Sequence, residues 1–238
     1  MLQRTFYRLG QIGMRAYVYT LLDMDVRFAA PLPAGPKILA ANHPTTIDPF
    51  LLLTITREVV SILVTEFCFA LPIFGRYLRA AGHIPVVHSN GRPAFDEAVR
   101  RLTAGHTIGI FPEGVLSPIE GGVCRAHTGA ARLALTARVP VIPVGIALQR
   151  EHLHFRETRA GNMTETARWY FSGKYAVTVG APLFFDGDVN DRACVRAATE
   201  HIMHRIMDLS DQSTARLPLT RTASALAPAR REVQYGAQ

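Results

Sequence analysis

KILAANHPTTIDPFLLLTITREVVSILV, residues 37–64, decides the fold. A short apolar run at 38–41 leads into the polar turn Asn42-His43-Pro44-Thr45-Thr46, and Asp48-Pro49 then opens a helical pattern over 48–57. Asp at a cap position followed by Pro is a helix-start signal. A second run rich in β-branched residues, 59–64, reads as another strand. Outward from this stretch the pattern repeats, with helical segments at 71–80, 93–102 and 128–138 between strands at 84–87, 107–111 and 141–147. Strand and helix in alternation predict an α/β fold, a layered, largely parallel or mixed sheet flanked by helices, with functional residues on loops beyond the strand ends. After Arg150 the pattern loosens, leaving a strand at 174–179 and a helix at 191–209.

Upstream, the first two dozen residues read as one helix, separated from the alternating region by the Pro-rich turn AAPLPAGP at 29–36. At about 100° per residue Arg4, Arg8 and Arg15 share a narrow sector, with Leu2, Phe6, Leu9, Tyr17 and Met24 roughly opposite. This fits an amphipathic helix lying in a membrane interface, and equally a helix docked on its own core. The expected organisation is a membrane-associating amphipathic helix over 1–28, an α/β domain over 29–212, and a disordered basic tail over 213–238.

The composition narrows the partners. In 238 residues, 26 Lys and Arg against 19 Asp and Glu leave a net charge of +7, which favours phospholipid surfaces, nucleic acid or an acidic carrier protein. Only two of the basic residues are Lys, and aromatics are not interleaved with the Arg residues, so nucleic acid is not an expected partner. Cys68, Cys124 and Cys194 are odd in number and far apart, which suits neither a disulfide framework nor a CxxC site. The longest stretch without a charged residue, Ala80 to Gly91, has twelve residues, short of the ~18 needed to span a bilayer. No secretory leader is expected.

Two motifs carry chemistry. His43 in the turn and Asp48 at the helix start can face each other; a carboxylate on Nδ1 fixes the tautomer and leaves Nε2 as a base toward a hydroxyl. Phe111-Pro112-Glu113-Gly114 ends another strand and brings a carboxylate to the same sheet edge, where it can hold an acceptor hydroxyl or organise the residues around the base. Each motif alone is also a common structural device, a helix cap or a turn. No GxSxG elbow and no Cys beside a base occurs, so no covalent nucleophile is expected. HExxH and paired Cys/His spacings are lacking as well, and neither a metal nor a bound cofactor is expected.

Taken together, these segments resemble the glycerolipid acyltransferases, the family of lysophosphatidic acid and glycerol-3-phosphate acyltransferases, which carry four ordered blocks. Asn42, His43 and Asp48 match the first, an Asn-His followed by four residues and then Asp. Gly82-His83-Ile84 matches the second, Phe111 to Gly114 the third, and the Pro-containing run VPVIPVGI at 139–146 the fourth. The resemblance spans roughly 20–185. It implies that His43 is the general base and Asp48 its orienting partner, while Glu113, Gly114, Asn42, Gly82 and His88 belong to the substrate-binding region. It further implies a donor, acyl-CoA or acyl-carrier protein, and a lysolipid acceptor; the Arg-rich N-terminal helix and tail are expected to hold the protein peripherally on the cytoplasmic face of an anionic membrane.

The departures bear on the acceptor. Phosphate-handling members of the family usually end the second block in Arg and continue the third with Thr-Arg-Ser, where this chain has His88, Val115 and Leu116. Arg binds phosphate bidentately with a permanent charge, and Leu cannot. The leading expectation is transfer to a lysophospholipid such as 1-acylglycerol-3-phosphate. A non-phosphate lipid acceptor, or a non-catalytic lipid-binding role, is the alternative.

Overall fold

The computed structural model describes residues 2–160 and 163–218. Seven strands form one sheet: β1 Leu22–Phe28, β2 Ile38–Ala41, β3 Val60–Thr65, β4 Ile84–Val86, β5 Thr107–Ile110, β6 Val141–Leu148 and β9 Gly173–Val179. Their order is β1-β9-β6-β2-β5-β3-β4. The block from β6 to β4 is parallel, β9 runs antiparallel to β6, and β1 runs parallel to β9 at the edge. The sheet is therefore mixed. A separate antiparallel hairpin, β7 Leu153–Ala160 with β8 Met163–Tyr170, stands outside it.

The central strands are short and wholly buried because helices cover both faces. Alternation along β2 assigns the layers: Leu39 and Ala41 face one apolar cluster, Ile38 and Ala40 the other. The first cluster is closed by α1 Leu2–Thr20, α2 Asp48–Leu52, α3 Glu66–Ala70 and α4 Pro72–Ala81. The second is closed by α5 Arg92–Thr103, α6 Gly129–Ala137 and α7 Arg192–Thr214. Close approach of α7 to β6 depends on Gly145, where an added Cβ would lie 2.1 Å from the backbone of Leu209 and Ser210.

Three expectations differ from what is observed. The N-terminal helix stops at Thr20, and Leu22–Phe28 is a strand; its Leu22, Met24 and Val26 alternate with polar residues at period two and pack on the core. The helix begun at Asp48 ends at Leu52 instead of 57. Thr54, Ile55 and Thr56 are poor helix formers, the Thr54 hydroxyl donates back to the Leu51 carbonyl, and the Gln11 amide takes the Leu53 and Thr56 carbonyls. The hairpin was not expected, because its outer residues are largely exposed and polar and show no one-sided apolar pattern. Of the basic tail expected over 213–238, Ser213 and Thr214 close α7, and 219–238 lie outside the described residues.

Docking of α1 is likewise two-sided. Tyr7, Met14, Tyr17 and Val18 pack on the core, whereas Leu9, Ile12, Ala16 and Tyr19 (84% exposed) face outward, with Ile73 of α4 (87% exposed) on the neighbouring helix. No helix among the described residues is long and apolar enough to cross a membrane.

Candidate active site

β2 and β5 are parallel neighbours, so the loops that follow them, 42–47 and 111–128, emerge side by side at one sheet edge. The first loop carries His43 and leads into α2 at Asp48. His43 Nδ1 lies 3.0 Å from Asp48 Oδ2. Asp48 has no exposed surface, and its oxygens also accept from the Thr45 N–H (2.7 Å), the Thr45 hydroxyl and the Tyr175 hydroxyl (2.7 Å). A carboxylate only accepts, so Nδ1 carries the proton and Nε2 presents a lone pair. That nitrogen makes no hydrogen bond among the described residues, and the half-buried His43 ring stacks on Phe111 at 4.1 Å between centroids. Burial, and then the neighbouring Asp48 charge, push the Tyr175 phenol well above its ordinary pKa, which keeps it a donor.

Glu113 holds the backbone around this pair. At 1% exposure it accepts from the His43 N–H (3.1 Å) and the Ser117 hydroxyl (2.6 Å) through Oε1, and from the Cys124 N–H (2.6 Å) through Oε2. Ser117 closes the tie, its hydroxyl accepting from the His43 N–H at 2.9 Å and its own N–H donating to the His43 carbonyl at 2.8 Å. Burial raises the Glu113 pKa, and these donors pull it back. Gly114 follows with φ of +67°, a left-handed conformation, and an added Cβ would meet the His127 ring at 2.9 Å.

The remaining expected residues sit differently. Asn42 is buried beside His43, but its amide bridges strands, donating to the Ile146 carbonyl and accepting from the Ile146 N–H. Gly82 is the left-handed C-cap of α4. His88 is exposed in the turn after β4, at the far edge of the sheet, three strand positions from β2. Two residues that sequence reasoning missed complete the site: Tyr175 on β9, and Arg168 on β8. Arg168 pairs its backbone with Thr46, accepting from the Thr46 N–H and donating to Oγ1 at 2.9 Å each, and its guanidinium donates to the Ser117 carbonyl. The hairpin is thereby pinned to both site loops. Its only signal was Gly161-Asn162 between two eight-residue runs.

An acyltransferase family model matches residues 23–147, just over half of the chain and inclusive of both site loops. The chain belongs to the acyltransferase family. Its fold is similar to that of the 1-acyl-sn-glycerophosphate (LPA) acyltransferase PlsC from Thermotoga maritima, at 23% identity and a TM-score of 0.62, over 91% of this chain and 81% of that one. A search of curated proteins gives no match. The acyltransferase thus carries its His43–Asp48 pair and its Phe111–Gly114 segment inside the matched region. Among its described residues no group of three or more His, Cys, Asp or Glu is placed to hold a metal ion.

Proposed function

We propose that this acyltransferase moves a fatty acyl group from acyl-CoA or acyl-carrier protein to the free hydroxyl of a lysophospholipid, with 1-acylglycerol-3-phosphate as the leading acceptor. The observation that carries the reading is the buried Asp48 on His43 Nδ1 with Nε2 left open. Nε2 takes the acceptor's hydroxyl proton as that oxygen attacks the thioester carbonyl. The tetrahedral adduct collapses, the C–S bond breaks, and the departing thiolate receives the proton from the imidazolium, whose charge Asp48 stabilises. Glu113 positions the base by fixing the His43 main chain, and Gly114 shapes the acceptor side. A second reading, a non-phosphate lipid acceptor, is favoured by Val115 and Leu116 standing where phosphate-handling relatives carry Thr and Arg.

Access to a lipid acceptor is by peripheral attachment at the cytoplasmic face. The outward residues Leu9, Ile12, Ala16 and Tyr19 of α1, flanked by Arg8, suit a helix lying flat in the interface. The test is thioester consumption with a panel of lysolipids, run beside His43→Ala and read by mass spectrometry of the products. A product made by the wild type and reduced at least ~100-fold in the variant is expected. Equal turnover by the two proteins would sink the base assignment, and no product with any acceptor would favour a lipid-binding role.

A further inference from the structure

At the end of the sheet opposite His43 lies a cleft of about 360 Å³, within the ~300–1,000 Å³ usual for small-molecule sites. Gly35, Val59 and Thr107, which precede or open β2, β3 and β5, are among the residues that line it. Arg8 from α1, Arg57 and His106 line it as well. The one carboxylate present, Glu58, is already matched: the fully buried Lys37 pairs with its Oε2, and the Thr107 hydroxyl donates to the same oxygen at 2.8 Å. Arg8 and Arg57 have no carboxylate partner among the described residues. With Lys37 balancing Glu58, the cleft keeps two positive charges and the donors to bind one phosphate group.

The position of α1 decides which phosphate. At its start the Tyr7 hydroxyl accepts from the Val60 N–H and donates to the Glu58 carbonyl, beside the cleft. Ten residues on, the Tyr17 hydroxyl donates to the Tyr170 carbonyl, in the segment leading to β9 and Tyr175. The helix therefore runs along the sheet face from the cleft to the catalytic edge, ~15 Å over those ten residues. Its exposed Leu9 follows Arg8 directly, its exposed Ile12 lies one turn further on, and both face away from the core. A bilayer lying against that apolar face would bring lipid phosphates level with the cleft and acceptor lipids level with His43.

We infer that the Arg8–Arg57–His106 cleft binds the phosphate of an anionic membrane phospholipid, a headgroup site separate from the catalytic edge that sets how α1 lies on the bilayer. The inference deepens the membrane attachment proposed above, and it is tested by binding, so its outcome does not depend on acyl transfer.

Co-sedimentation with phosphatidylglycerol-containing vesicles, against pure phosphatidylcholine vesicles, compares the wild type with Arg57→Gln and Arg196→Gln. The second variant removes the same charge from α7, on the other face of the sheet, and circular dichroism checks that both are folded. Arg57→Gln should weaken binding to the anionic vesicles about tenfold, the scale of a lost charge-assisted hydrogen bond, and Arg196→Gln by no more than about twofold. Equal losses in the two variants would overturn the site in favour of diffuse attraction. If inorganic phosphate binds the wild type and not Arg57→Gln while vesicle binding is unchanged, the cleft takes a soluble phosphate and the lipid assignment falls.

Discussion

Tyr175 and Asp48, 127 residues apart, are joined by a 2.7 Å hydrogen bond that ties β9 to the start of α2 behind His43. Through this bond the antiparallel edge of the sheet helps orient a carboxylate on its parallel side. Tyr175→Phe keeps the ring and removes one donor from a buried charge, a loss of about 1.5–3 kcal/mol in stability. Turnover should fall less than about tenfold, since His43 and Thr45 still hold Asp48. Denaturant unfolding and steady-state rates measured on one preparation check both figures.

Glu113 is read as a positioning residue, and Glu113→Gln separates that role from direct substrate contact. A carboxamide has one acceptor oxygen and turns an NH2 toward donors that the carboxylate satisfied on both sides. At least one buried donor is left unpaired, costing about 1–3 kcal/mol. Displacement of the His43 backbone should lower kcat by about 10- to 100-fold with acceptor KM unchanged. A raised KM with kcat intact would show that Glu113 touches the acceptor.

What the sequence made legible was whatever depends on neighbours along the chain. The runs at 38–41 and 141–147 read as strands because they are short and apolar throughout, as suits strands buried on both faces, and the α4 and α5 segments read as helices because one face is apolar. His43 and Asp48 could be paired because only one turn separates them. Tyr175 and Arg168 could not be found that way, since each reaches the site through sheet order or hairpin docking over more than a hundred residues. Asn42 and Gly82 lie inside the motif blocks that the resemblance singled out, and their local patterns do not reveal that one bridges β2 to β6 and the other caps a helix.

Two glycines test how the layers are held. In Gly145→Ala the new methyl group would meet backbone atoms of Leu209 and Ser210 at 2.1 Å, and neither side can rotate away. The expected loss is about 3 kcal/mol or more, at or above the usual range for overpacking. Gly13→Ala, where nothing lies within 4 Å, should stabilise α1 by about 0.5–1 kcal/mol. Thermal or urea unfolding of the pair checks the contrast, and similar effects from the two substitutions would count against the β6–α7 contact as described.

His83 gives the fold an acid limit. It is buried in the second motif block; Nδ1 accepts from the Ile62 N–H, and Nε2 finds no partner among the described residues. Burial, and after it the Arg101 charge, lower its pKa from 6.5 to about 4. Above pH 6.5 the ring is neutral in both folded and unfolded chains, and its contribution is fully present. As pH falls from 6.5 toward 4 the unfolded chain takes up a proton that the folded chain refuses, so stability drops, by about 3 kcal/mol once pH is below both values. His83→Asn retains an acceptor for Ile62 without titrating, and its unfolding free energy should lose about that much less than the wild type's between pH 7 and pH 4. Parallel curves for the two proteins across this range would show that other groups set the acid limit.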